Sequence, residues 1–193
     1  DTTIKSSEDI EKDIGVKTLI SIPVRKENKK ENYLNELITY SDARSINSEV
    51  FKTLRTNVQF SNINNKENKV MLITSCFSSE GKSYISANLA TAFAQAGKKV
   101  VLIDADMRRG RQHDIFELPN NKGLSSYLIL SVKESNDSLG EYIQQTVVDN
   151  LYVITSGIVP PNPSELLTSK KMIDLIKTLN HYERYCKKKG MIV

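Results

Sequence analysis

Apolar residues recur along this chain with different spacings, and each spacing predicts an element. Val70-Met71-Leu72-Ile73-Thr74-Ser75 is a β-branched, apolar run of strand length. Residues 84–94 are Ala-rich and helical in character, and Gly97 closes that helix. Val100-Val101-Leu102-Ile103 has no polar interruption, the pattern of a parallel strand covered on both faces. Upstream, Ser45 or Ser48 opens a helix whose Val50, Phe51, Leu54 and Val58 fall on one stripe. Downstream, residues 123–128 predict a short helix and 149–157 a turn and strand. Residues 160–167 form a rigid turn into a helix that carries Met172, Ile173, Leu175, Ile176 and Leu179. Near the start, Ser6 and the carboxylates that follow it have helix-opening chemistry, Gly15 stops that helix, and residues 18–23 read as a short extended segment.

Between the first apolar run and the Ala-rich helix stands Cys76-Phe77-Ser78-Ser79-Glu80-Gly81-Lys82-Ser83. Strand, polar turn, Gly-Lys-Ser and helix make the setting of a phosphate-binding loop. The chemistry is anion capture. Free N–H groups of the turn and of the first helical turn converge on one point, aided by the positive end of the helix dipole. Gly81 allows close approach of the backbone, Lys82 supplies a mobile cation, and Ser83 offers a hydroxyl to Mg²⁺. Cys76 stands where the pattern G-x-x-x-x-G-K-[ST] has its first glycine.

The second apolar run ends in Asp104-Ala105-Asp106-Met107-Arg108-Arg109. Acids at the carboxyl end of a buried strand lie on the sheet edge where open α/β folds bind ligands. Positions two apart in a strand face one side, so Asp104 and Asp106 are expected to share one site. There they would hold Mg²⁺, and one of them would accept a hydroxyl proton. The fold expected is therefore α/β, a P-loop NTPase-like, mostly parallel sheet with helices on both faces.

With 193 residues, the chain has room for one such domain and some peripheral chain. The net charge of +4 is scattered except near residues 184–189, so nucleic acid is not expected as a partner. Two cysteines, Cys76 and Cys186, are too few for a disulfide framework. His113 and His181 stand apart from other ligand-type residues, which excludes a zinc site or a Ser/His/Asp triad. No apolar run approaches the ~20 residues of a membrane span, and the sequence reads as that of a soluble cytoplasmic protein. Its first residue, Asp1, suggests a fragment or processed product.

Taken together, these residues resemble the bacterial tyrosine kinases of capsule and exopolysaccharide synthesis. Residues 103–108 are similar to that family's second nucleotide motif, apolar residues followed by D-x-D-x-R. Residues 78–83 resemble its phosphate loop, with Ser79 where the family usually has Gly. Residues 49–55 resemble the E-x-x-R-x-x-R helix used for ring assembly, with Lys52 in place of the first Arg. Residues 160–167 look like a family segment, and residues 2–23 resemble the stretch that follows the second membrane helix of the associated chain-length regulator.

The resemblance implies ATP and Mg²⁺ as cofactors and a nucleotide-binding set of Ser79, Glu80, Gly81, Lys82, Ser83 and Tyr84. It implies Ser83, Asp104 and Asp106 as metal ligands, and Lys82, Asp104 and Asp106 as catalytic residues, with Asp104 the proton acceptor. The substrates would be protein tyrosines, the chain itself included. A membrane chain-length regulator would be the activator, at the inner face of the membrane. By themselves Glu49, Lys52 and Arg55 read as a solvated ion-pair row, whereas the resemblance makes their helix a self-association surface.

The implied organisation is a lead-in at 1–44, a kinase domain at 45–182 and a non-family tail at 183–193. In the family a strand ending in D-x-P-P follows the helix that ends near Tyr182, and a tyrosine-rich tail closes the chain. Residues 183–193 show neither, so a C-terminal truncation with impaired activity is expected. The alternatives are a nucleotide-binding or assembly module without catalysis, and a partition- or septum-site-type ATPase. The latter resembles K-G-G-x-G-K-[ST], whose first lysine is replaced here by Phe77. A dinucleotide oxidoreductase is excluded by the lack of G-x-G-x-x-G after either strand.

Overall fold

A computed structural model describes residues 6–24, 36–61, 70–129 and 139–189, with side chains described as far as residue 180. The linker expected at 25–32 and the polar loop at 62–68 lie outside the described residues, as do residues 2–5.

The helices begin and end where local chemistry dictates. In α1 (Ser7–Ile14), Ser6 accepts from the Asp9 amide and Asp9 accepts from the Ser6 amide, a reciprocal capping box, and Gly15 ends the helix at φ 72°. After α2 (Ile38–Ser41) comes α3 (Ile46–Ser61), whose opening amide at Ser48 donates to Ser45 Oγ at 3.1 Å. Ser45 is therefore the cap, and Ser48 lies inside the helix. The helix α4 (Lys82–Gln95) closes on Gly97 at φ 77°, where the Lys98 amide reaches back to the Phe93 carbonyl.

Then follow β1 (Val100–Ile103), α5 (Gln112–Ile115), α6 (Leu124–Ile129), a 3₁₀ turn at Leu139–Glu141, β2 (Gln144–Gln145) and β3 (Leu151–Ile154). The expected C-terminal helix is two, α7 (Pro163–Thr168) and α8 (Lys170–Lys189). Ser169 separates them with extended backbone, and its hydroxyl accepts from the Met172 amide at 3.2 Å. The backbone of α8 continues past Tyr182, where the sequence pattern changes.

The fold is α/β. Its sheet has the order β1-β3-β2, with β1 parallel to β3 from Val100↔Leu151 to Ile103↔Ile154 and the short β2 antiparallel to β3. Alternation in β1 divides the core. Val100 and Leu102 pack against Ala87, Ala90 and Ala94 of α4 on one face. Val101 and Ile103 pack against Leu124, Leu128 and Leu175 of α6 and α8 on the other. Alanines on the inner face of α4 let the helix axis lie close to the sheet, which brings its N-terminus near the end of β1. A third cluster joins Phe51 and Leu54 of α3 to Leu89 and Ala92 of α4, and Ile20 and Ile22 of the lead-in pack against it. The lead-in is thus attached to the domain, also through the Asn57 amide, which donates to the Leu19 carbonyl at 2.7 Å.

One expected element is corrected. Residues 70–75 are not a strand: they pair with no other strand among the described residues, and Leu72 is 82% exposed. Only Ile73 of this run packs into the third cluster. A β-branched composition favours a pleated, half-buried surface, and outside the described sheet that preference has little to act on. β1 likewise has β3 as its one ladder partner among the described residues and forms an edge of the sheet.

Candidate functional site

The loop that enters α4 is held by its own side chains. Phe77 donates its amide to Glu80 Oε2 at 2.9 Å, and the Ser75 hydroxyl donates to the Phe77 carbonyl at 2.9 Å. Gly81 adopts φ 89°, a left-handed conformation that L side chains rarely take, and it offers no side chain to cap α4. No side chain caps α4, which leaves the amides of Lys82 and Ser83 open toward the loop among the described residues, the condition for anion binding. Among the described residues no hydrogen bond or ion pair engages the Lys82 amine or the Ser83 hydroxyl. Open amides, a cation and a hydroxyl are a donor set that fits a magnesium-bound phosphate chain. Tyr84 lies differently: its ring meets Phe51 edge-on at 5.6 Å, within the α3–α4 contact.

Ser79 also lies in the left-handed region, at φ 65°. An L residue there is strained by roughly 1–2 kcal/mol, partly offset by the lower chain entropy of serine relative to glycine. Ser79→Gly is expected to stabilise the chain by about 0.5–1 kcal/mol. A urea denaturation midpoint that stays or falls would contradict this.

At the end of β1 the ladder continues one step, with the Asp104 amide donating to the Ile154 carbonyl at 2.9 Å, and then the chain turns. Because the strand stops at Ile103, Asp104 and Asp106 are not related by strand alternation. They are linked by the Asp106 amide, which donates to Asp104 Oδ1 at 3.2 Å. The other oxygen, Oδ2, accepts from the Gln112 amide at 3.0 Å and so caps α5 from a distance. Asp106 Oδ1 accepts from the Arg109 amide at 3.0 Å. Asp104 is 6% exposed. Burial pushes its carboxyl above the ordinary value, and the charge of Asp106 adds to this; the amides of Gln112, Asp106 and Arg111 pull the other way.

Two bridges join this acidic turn to the loop. Gln112 Nε2 donates to the Ser83 carbonyl at 3.1 Å and to Ser86 Oγ at 3.0 Å. The Arg109 guanidinium donates to Ser78 Oγ at 3.2 Å. Gln112 and Arg109 were missing from the sequence-derived site. The signal for Arg109 was its place beside the D-x-D motif, but a glutamine eight positions after Asp104 carries no signal that sequence alone can read.

Gly110 makes the turn possible. A Cβ at that position would overlap Ser156 Oγ and lie 2.9 Å from Asp104 Oδ2. Gly110→Ala is expected to destabilise the chain by about 1–3 kcal/mol, as overpacking does, and to weaken nucleotide binding with it. An unchanged urea midpoint would refute the close packing.

The helix carrying Glu49, Lys52 and Arg55 holds two kinds of contact. Lys52 Nζ pairs with Glu49 Oε1 at 2.7 Å and also donates to the Ala43 carbonyl at 3.0 Å. Arg55 points elsewhere: its guanidinium donates to the Ala92 carbonyl of α4 at 3.1 Å, and its Nε is buried. Among the described residues no helix is long and apolar enough to cross a membrane, and no cluster of His, Cys, Asp and Glu has metal-site geometry.

The family model of the CobQ/CobB/MinD/ParA nucleotide binding domain matches residues 71–193, more than half of the chain. The chain is 41% identical over 150 residues to the tyrosine-protein kinase YwqD of Bacillus subtilis, covering 78% of this chain and 61% of YwqD. It is 47% identical over 156 residues to CapB of Staphylococcus aureus, covering 80% of this chain and 66% of CapB. The kinase domain of the Escherichia coli tyrosine kinase ETK superposes with a TM-score of 0.77 at 33% identity, over 91% of this chain and 68% of that domain. The chain belongs to the bacterial tyrosine kinase family. It is a nucleotide-binding domain of P-loop type, and it spans about two thirds or less of the length of these two curated relatives. The match to the nucleotide-binding family model includes the loop, the acidic turn and α8.

Proposed function

We propose that this chain binds ATP with Mg²⁺ and phosphorylates protein tyrosines, its own among them, in the control of capsular or exopolysaccharide synthesis. The observation that supports the reading is the chain of hydrogen bonds Asp104–Gln112–Ser83, which ties the acidic end of β1 to the first turn of α4. In this reading the loop from Ser79 to Tyr84 receives the nucleotide, with Gly81 and Lys82 at the phosphates. Ser83 and Asp106 hold the metal, and Asp104 stands near them. When bound, the metal ion neutralises charge on the phosphate oxygens. Asp104 accepts the tyrosine proton as the phenolic oxygen bonds to the γ-phosphorus and the bridging oxygen leaves with ADP. Its raised pKa suits a proton acceptor better than an ordinary carboxylate would.

The α3 helix serves self-association in this proposal, with the exposed Glu49 available to a second copy and Arg55 anchoring the helix to α4. The activator is a membrane chain-length regulator, which would hold the domain at the inner face of the membrane. Residues 1–44 then form the lead-in, 45–182 the kinase domain and 183–193 the tail.

A second reading, a nucleotide-binding or assembly module with weak transfer, is favoured by the run at 70–75, which does not join the described sheet. That run leads directly into the phosphate loop, and a loop without a paired strand behind it is less firmly positioned. Incubating the purified chain with ATP and Mg²⁺ and probing for phosphotyrosine separates the two. Phosphotyrosine that accumulates supports the kinase, nucleotide binding without it supports the module, and no nucleotide binding defeats both.

A further inference from the structure

Gln112 is 3% exposed, and two of its polar groups make three hydrogen bonds here. The backbone amide binds Asp104, and the side-chain amine binds the Ser83 carbonyl and the Ser86 hydroxyl. Its side-chain carbonyl, Oε1, is buried and has no hydrogen-bond partner among the described residues. Buried carbonyls are almost always paired, and the exceptions ask for an explanation. The amine fixes the orientation of this amide: the Ser83 carbonyl can only accept, and the Ser86 hydroxyl already donates to that carbonyl, so exchanging Oε1 with Nε2 would set two carbonyl oxygens against each other. A fixed, unpaired acceptor thus sits beside the first turn of α4 and the acidic turn.

We infer that Gln112 is a positioning residue for the metal-bound nucleotide: it fixes Ser83 through Nε2 and presents Oε1 to a donor that arrives with the magnesium ion. The donor of fitting chemistry is a water of the ion's hydration shell, since Mg²⁺ keeps several waters when it binds with phosphates. Groups that orient the first ligands of a metal in this way typically alter metal affinity about 10–100-fold when removed. The inference rests on the reading of this loop as a magnesium–nucleotide site and adds a residue that neither phosphate-loop nor acidic motif contains.

The test is the affinity of the chain for ADP, titrated calorimetrically with and without Mg²⁺, in the parent, Gln112→Met and Gln112→Glu. The ratio of the two dissociation constants gives the enhancement by the ion. Methionine keeps the length and removes both polar groups, so the enhancement is expected to fall about tenfold while metal-free affinity stays within about twofold. Glutamate keeps an acceptor in place but gives up the Nε2 donor that holds Ser83, so its enhancement is expected to fall, and by less than that of Met. A parallel shift of both constants in the Met variant, or no shift, overturns the inference, as does a Glu variant that loses as much of the enhancement as Met or more. If the Met variant does not fold, Gln112→Asn, which retracts the carbonyl by one methylene, takes its place with the same expected loss. A parent that binds no ADP defeats the nucleotide reading itself, whereas a parent with ion enhancement and insensitive variants defeats only the role of Gln112.

Discussion

Lys82→Ala is expected to lower tyrosine phosphorylation by this chain by at least about a hundredfold, the usual consequence of removing one charge-stabilising donor from a transfer site. The fold should survive. Lys82 is the first residue of α4, it is half-buried, and none of the described contacts engages its amine. Alanine has a higher helix propensity than lysine, so stability should stay within about 0.5 kcal/mol. The variant is to be compared with the parent by phosphotyrosine detection and by thermal unfolding. A fully active variant would remove the loop from the mechanism. A variant that loses activity only by unfolding would show that the lysine serves the structure instead.

Asp104→Asn is expected to reduce transfer by about 10²–10⁴-fold if the carboxylate accepts the proton. It also carries a stability signature that needs no substrate. The folded-state pKa is raised above 3.8 by burial, so the folded chain holds this proton more tightly than the unfolded chain does. The group's contribution to stability is fully present below about pH 3.8 and is lost as pH rises through the folded value. In EDTA, the urea midpoint of the parent should therefore fall relative to that of Asp104→Asn over this window, and the difference should level off above it. Titrating groups that do not interact with Asp104 are common to both proteins and cancel. A difference that is flat across the window would show that the amides facing Asp104 balance its burial, and one that runs the opposite way that they outweigh it. The asparagine also loses one acceptor for the two amides of Asp106 and Gln112, which adds a pH-independent destabilisation of about 1–3 kcal/mol.

Much of the local structure was legible. Ser6 with Asp9, Ser45, Gly15 and Gly97 are short-range signals, and each acts within a few residues of its place in the chain. The apolar run 100–103 read correctly as a strand covered on both sides, because its residues alternate between two packed faces. The same reasoning failed at 70–75, where the residues have strand character and no partner in the described sheet. A strand is a relation between two segments, and one segment's composition carries only half of it. Arg55 shows a similar limit. Its spacing from Glu49 and Lys52 suggested one surface row, yet its guanidinium crosses to the Ala92 carbonyl on another helix.

By itself the sequence determined the phosphate-loop motif, the acidic motif after a strand packed on both faces and the family, because these are local patterns of residue type along a strand end, a turn and a helix start. Only the tertiary structure decided that Asp104 is buried under the turn Gly110 makes possible, and that Gln112 joins it to Ser83. The partners in those contacts are 8 and 29 positions apart. Bonds across such separations depend on how closely an alanine-faced helix can lie on a sheet, and no periodicity along the chain records that distance.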